Sequence, residues 1–177
     1  FRSGQIVGGW SANGTSTTPN ADPTFTSFYK GNTLNLNQYK GSVQGIIHIE
    51  NYNWTLPKNE INNSLAVVQI TDSDPNYKVA LDNTKHRVDV INDGNTLDAG
   101  DQVILIDRAQ GTPTLLNNQI EQGLFIVYDA EMKVVGNQLI VTVLGVNAGI
   151  PDGKINPESE AFLKGRVAQL AMVDQGA

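Results

Sequence analysis

Apolar and polar positions alternate with a period of two along most of the chain, the spacing of half-buried strands. In NTLNLNQ, Leu34 and Leu36 fall on one face. In GSVQGIIHIE, Val43, Ile47 and Ile49 share a face, with Gly45 between them, and in NYNWTLP, Tyr52, Trp54 and Leu56 share another. LAVVQIT, HRVDVI, QVILID, GLFIVYD and NQLIVTV are further strand candidates, and Gly, Asn, Asp or Pro separates most of them. Residues 1–146 show no helical period, which predicts an all-β region. SANGTSTTPNADPT has almost no apolar side chain and reads as a surface loop within residues 1–30, and NAGIPDGKINP (147–157) reads as a second loop. Beyond it the period changes. Asn156 is placed to cap a helix, Pro157 suits its first position, and Glu158 and Glu160 complement its dipole. Residues 157–174 are predicted helical, with Leu163, Val167, Leu170 and Val173 as an apolar stripe. A second face carries Ala161, Gly165, Ala168 and Ala171 or Met172. Gly165 weakens a helix, so close approach to another surface would explain it.

An all-β chain of this kind is a sandwich, a barrel or a solenoid. Three features favour a parallel β-helix. Asn and Thr are abundant and can ladder their side chains along stacked rungs. Gly-rich corners recur with few two-residue hairpin signals, Asn-Gly occurring at Asn13-Gly14 and Asp-Gly at Asp93-Gly94 and Asp152-Gly153. GQIVGGWS at the start reads as one rung of something longer.

Composition narrows the function classes. The 177 residues are 40% hydrophobic and 17% charged, with a net charge of −6, and that length can bury a real core. The charged share is below the usual ~25%, and 19 Asn, 13 Thr, 11 Gln and 8 Ser fill the gap. The absence of cysteine excludes disulfide scaffolds, thiol enzymes and Cys-ligated zinc. An acidic chain without a dense Lys/Arg run argues against nucleic acid as a partner. No apolar stretch approaches the ~18 residues of a membrane-spanning helix. The opening FRSGQIVGG has no initiator Met and no charged-then-apolar leader, so a mature segment or an excised piece is expected.

Little in the sequence supports catalysis, and no catalytic residue, metal ligand or cofactor is predicted. His48 and His86 are far apart in sequence, with no acid at metal-ligand spacing. His48 alternates with Ile47 and Ile49, which predicts a solvent-facing ring, and His86 in NTKHR is expected in a charged turn. The acid pairs Asp72/Asp74 and Asp98/Asp101 fall in turns, where Asp folds back on its own backbone, and Glu158/Glu160 open the helix. PDGKINPESEAF fails as a calcium loop, because Ser159 stands where the closing Glu belongs, and NDGNTLDAGD lacks the loop spacing. The Asn-x-Ser/Thr triplets at Asn13, Asn53 and Asn62 are expected by chance in so Asn-rich a chain.

Taken in order, several segments resemble the C-terminal end of the passenger of a bacterial autotransporter (type V secretion), including its autochaperone segment. GQIVGGWS (4–11) is similar to that family's Gly-aliphatic-Gly-Gly-aromatic-Ser rungs, and HIENYNWTLP (48–57) to its turn-Tyr-x-aromatic-x-Leu-Pro strand. GNTLDAGDQVILID (94–107) is similar to its Leu-x-Ala-Gly-Asp-x-Val-x-Leu-Ile segment, and GLFIVYDAEMKVVGNQLIVTV (123–143) to its Tyr-Asp strand pair. PESEAFLKGRVAQLAMVDQGA (157–177) resembles the linker helix that leads into the outer-membrane barrel. Trp54 departs from the family, which more often has Phe there. The chain also stops at Gly176-Ala177, where the barrel would begin.

The resemblance implies an all-β fold, a right-handed parallel β-helix end with a sandwich-like cap, followed by one C-terminal helix. It implies terminal rungs with a surface loop over 1–38, an autochaperone-like cap over 39–150, and a loop and linker helix over 151–177. The implied function is a non-catalytic stem and cap that promotes passenger folding and secretion to the bacterial cell surface. The partner would be the chain's own outer-membrane barrel, absent from this fragment, which is itself not membrane-spanning. The implied folding residues are Tyr52, Trp54, Leu56, Pro57, Gly100, Asp101, Tyr128 and Asp129, and those of the linker helix Leu163, Gly165, Val167 and Leu170. The missing cysteines suit a chain that threads unfolded through a pore. The alternative is an adhesin or self-associating module that contacts host glycans or a like copy through its Asn/Thr-rich faces or the 11–30 loop. A β-helix carbohydrate-active enzyme using the acid pairs is the third reading.

Overall fold

The structure, a computed structural model, describes residues 4–8, 30–57 and 59–147. These residues form strands joined by turns, with no helix among them. The strands are β1 (Gln5–Val7), β2 (Thr33–Asn37), β3 (Gly41–Val43), β4 (Gly45–Ile47), β5 (Asn51–Leu56), β6 (Val68–Ile70) and β7 (Val79–Ala80). They continue with β8 (Lys85–Val90), β9 (Gln102–Ile106), β10 (Ala109–Gln110), β11 (Thr114–Gln122), β12 (Ile126–Val135) and β13 (Gln138–Asn147). The expected all-β region is therefore present. The predicted helix with Leu163, Gly165, Val167 and Leu170, the Glu158/Glu160 pair and most of the 11–30 loop lie outside the described residues.

The pairing follows a recurring order. β2, β5, β8 and β11 lie side by side in parallel, as do β3, β6 and β9, while β1 pairs with β4 and β7 with β10, also in parallel. The last two long strands reverse this pattern. β12 is antiparallel to β11, β13 to β12, and β13 also to β9. The result is one nine-stranded mixed sheet of order β2-β5-β8-β11-β12-β13-β9-β6-β3. β2 and β3 are joined by residues 38–40 yet stand at its two ends, so the sheet curls round on itself.

Register explains the core. Parallel strands in register place like-facing residues in columns. Leu34, Tyr52, His86 and Leu115 form one column, and Leu36, Trp54, Val88 and Ile120 the next. All but the half-buried Leu34 are buried, and they join Val43, Val68, Leu105, Ile106, Leu139 and Val141 in one hydrophobic core. Outward columns are polar: Asn53 Nδ2 donates to Asn35 Oδ1 at 2.9 Å, one step of the expected Asn ladder.

Three expectations are corrected. GSVQGIIHIE is not one strand. It turns a corner at Gln44 between β3 and β4, and again at His48, whose φ of 62° lies in the left-handed region. Gly45 through Glu50 are all buried at this double corner, so period two breaks down there. Second, tight antiparallel hairpins do occur. β12 and β13 are joined by Gly136-Asn137 alone, with φ of 63° at Gly136, as a two-residue turn with glycine first requires. β11 and β12 are joined by Gly123-Leu124-Phe125, where Gly123 has φ of 67°. Third, the Asn excess does more than ladder. Among the described residues seven non-glycine positions have positive φ, and five of them are asparagines: Asn59, Asn62, Asn83, Asn117 and Asn118. Asn tolerates this conformation better than other side chains, so it turns corners where a β-branched residue would be strained.

Candidate functional site: a buried aromatic seam and the hairpin that closes it

Tyr52 and Trp54 point into the core from β5, and both are fully buried. The parallel register brings His86 of β8 beside them. Its ring stacks on Tyr52 with centroids 4.6 Å apart and 12° between planes, and lies at 6.4 Å and 14° from Trp54. Trp54 Nε1–H donates to His86 Nδ1 at 3.1 Å, an in-plane contact between two nearly parallel rings. Thr84 Oγ1 donates to the Leu81 carbonyl at 2.6 Å, which leaves its lone pairs to accept from His86 Nε2–H at 2.9 Å. This chain of donors admits one tautomer, neutral with the proton on Nε2. Burial pushes the His86 pKa down to about 3, because the charged ring loses its hydration in the core. Tyr52 also has its phenol pushed up by burial. Its Oη has no hydrogen-bond partner among the described residues.

Both histidines thus depart from expectation: His86 is 0% exposed on a strand and His48 is 1% exposed at a corner. A signal for His86 was present in the sequence, since it shares the parity of Val88 and Val90. A charged-looking flank, Lys85 and Arg87, concealed it. Those two side chains face outward, where Arg87 pairs with Glu121 at 2.7 Å.

The hairpin closes the sheet over this core. Tyr128 of β12 is fully buried, and its Oη donates to Gln122 Oε1 at 2.6 Å while accepting from the Leu97 backbone N–H at 3.1 Å. Gln122 in turn donates through Nε2 to the carbonyls of Ile91 and Asn95, at 3.1 and 2.7 Å. Together they hold the 91–97 loop on the end of the sheet. Gln122 escaped notice because β11 was not recognisable as a strand. Asn117 and Asn118 bulge it between Leu115 and Ile120 and so break the alternation.

The other expected residues fall around this frame. Leu56 is buried in register with Val90, and Pro57 is half-buried after it. Gly100 has φ of 95°, which favours glycine, and its N–H reaches the Val143 carbonyl at 2.8 Å. Asp101 caps its own turn, accepting from Asp98 N–H at 2.8 Å and from Asn62 Nδ2 at 3.0 Å. Asp129 is exposed and accepts from Asn147 Nδ2 at 2.9 Å, beside a bulge in β12–β13.

The acid pairs are engaged by backbone. Asp72 Oδ1 accepts from Asp74 N–H and Asp74 Oδ1 from Asn76 N–H, at 2.8 and 2.9 Å, while Arg108 binds the carbonyls of Ile70, Asp72 and Asp74. This is the turn role expected of them. Among the described residues no group of three or more His, Asp or Glu is placed to hold a metal ion, and no helix is long and apolar enough to cross a membrane. Compared with known proteins, the chain matches no family model, no curated protein and no solved structure.

Proposed function

We propose that the chain is the non-catalytic C-terminal stem and cap of an autotransporter passenger, and that this cap promotes passenger folding at the bacterial cell surface. The observation that carries the reading is that β2-β5-β8-β11 and β3-β6-β9 run as two parallel ladders, accompanied by the separate parallel pairs β1-β4 and β7-β10, with an antiparallel hairpin joining the two ladders. Such a recurrence supports the reading of a parallel β-helix, in which each turn of chain stacks on the last. The reading takes β2-β3-β4, β5-β6-β7 and β8-β9-β10 as rungs, and β11 with the hairpin as the cap. Asparagines at the corners and a core in columns suit stacked rungs, and the absence of cysteine suits export as an unfolded chain. The partner is the chain's own outer-membrane barrel.

The test is Trp54→Ala in the full-length exported protein. Trp54 is 1% exposed at the centre of the seam, and truncating a buried Trp costs about 3–5 kcal/mol. Refolding of the passenger is expected to slow and surface display to fall. Display and refolding equal to wild type would remove the folding role.

A further inference from the structure

The hydrogen bonds around His86 carry a consequence that does not depend on export. Both ring nitrogens are committed: Nδ1 accepts from Trp54 Nε1–H, and Nε2–H donates to Thr84 Oγ1, whose own proton is held by the Leu81 carbonyl. A second proton on the ring would sit on Nδ1, pointing at the Trp54 N–H. Two donors would then face each other inside the core, with Tyr52 stacked over the ring and Leu115 next to it in register.

The elements packed against His86 offer its cation no relief. On β5 the one titratable neighbour is the buried phenol of Tyr52, held neutral. On β11 the residues in register with Lys85 and His86 are Thr114 and Leu115, neither of which titrates. The 81–84 turn supplies Thr84 and the Leu81 carbonyl, with Asp82 bonded to Thr112 N–H. On β8 itself Lys85 and Arg87 lie on the outer face, Arg87 with Glu121 and Asp89. Burial is the cause of the ring's depressed basicity, and no carboxylate among the described residues offsets it.

We propose that the Trp54–His86–Thr84 relay is an acid-sensitive latch on folding: the folded sheet accepts the His86 ring only uncharged, so in mildly acidic solution folding must release its proton to solvent. The sign follows from linkage. An unfolded His binds its proton below about pH 6.5, whereas the folded ring stays neutral down to about pH 3. Stability is therefore complete above the unfolded value and is lost as pH falls through this window. Between pH 7.5 and 5.0 the folding equilibrium constant should fall about 30-fold from His86 alone, above the range where exposed carboxylates titrate.

The experiment measures urea unfolding of the full chain at pH 7.5, 6.5, 5.75 and 5.0, for wild type and His86→Leu. Removal of the roughly 30-fold dependence by His86→Leu supports the latch, and an undiminished dependence in that variant overturns it. A second measurement needs no variant. In ¹⁵N-labelled folded wild-type chain at pH 5.0, the His86 ring nitrogens should report the neutral Nε2–H tautomer. A doubly protonated His86 ring in the folded chain at that pH overturns the proposal even if His86→Leu fails to fold.

Discussion

Replacing Tyr128 by phenylalanine removes a single oxygen and keeps the ring. In the folded protein that oxygen accepts the Leu97 N–H at 3.1 Å and donates to Gln122 Oε1 at 2.6 Å. Both groups are buried, and Gln122 cannot swing to a new partner without abandoning the Ile91 and Asn95 carbonyls that its amide nitrogen holds. A buried polar group left without a partner costs about 1–3 kcal/mol, so the substitution should destabilise the chain by about 2–4 kcal/mol. With a urea m-value of about 2 kcal/mol/M, the unfolding midpoint should drop by about 1–2 M. Hydrogen exchange should rise first in residues 91–97, which the Tyr128–Gln122 pair secures. Tyr52→Phe makes the same chemical change in the same core with the opposite expectation. The Tyr52 Oη is buried without a hydrogen-bond partner among the described residues, so its removal should be neutral or stabilising by up to about 1 kcal/mol. Equal destabilisation of both variants, or a loss below about 0.5 kcal/mol at Tyr128, would refute the hydrogen-bond reasoning.

Two further outcomes rest on backbone geometry. A methyl group on Gly45 would come within 2.7 Å of Tyr77 Oη and 2.8 Å of Cζ, and that phenol is pinned by bonds to both the N–H and the carbonyl of Ile46. Gly45→Ala should therefore cost about 1–3 kcal/mol by calorimetry, and a thermal midpoint equal to wild type would show that the ring moves freely. Asn83 is exposed with φ of 64°. Asn83→Gly should be tolerated within about 0.5 kcal/mol while Asn83→Val costs about 1–2 kcal/mol; urea midpoints in the reverse order would show that this corner is unstrained.

Which parts of this architecture could be read from the sequence depended on whether a strand kept its alternation. NYNWTLP and HRVDVI kept it, and β5 and β8 lie where they were expected, with Tyr52, Trp54 and Val88 inward. GSVQGIIHIE and TLLNNQIEQ lost it, the first at the Gln44 and His48 corners and the second at the Asn117-Asn118 bulge. A corner buries residues of both parities, and a bulge resets the face, so neither leaves a period to detect. The Gly136-Asn137 hairpin was missed because its glycine comes first, the reverse of the Asn-Gly signal. Of the site, Tyr52 and Trp54 were legible as large apolar residues on a regular strand, whereas Tyr128 was picked out only through the family resemblance, since β12 buries Val127 and Tyr128 in succession beside its bulge. Their polar partners were overlooked for separate reasons: the parity of His86 was hidden by its charged flank, and Gln122 lies beyond the Asn117-Asn118 bulge that breaks the alternation of β11.

The order of the nine-stranded sheet bears on how the protein would aggregate. Its outermost strands are β2 and β3, neighbours in the chain, while the hairpin joins the two arms of the sheet at the other end. A fibre grown edge to edge needs two edges facing opposite ways, so that each molecule accepts one neighbour and offers itself to the next. Here both edges belong to the same end. Among the described residues, edge pairing through this sheet uses up that one end, so it is expected to stop at two copies rather than propagate into a filament.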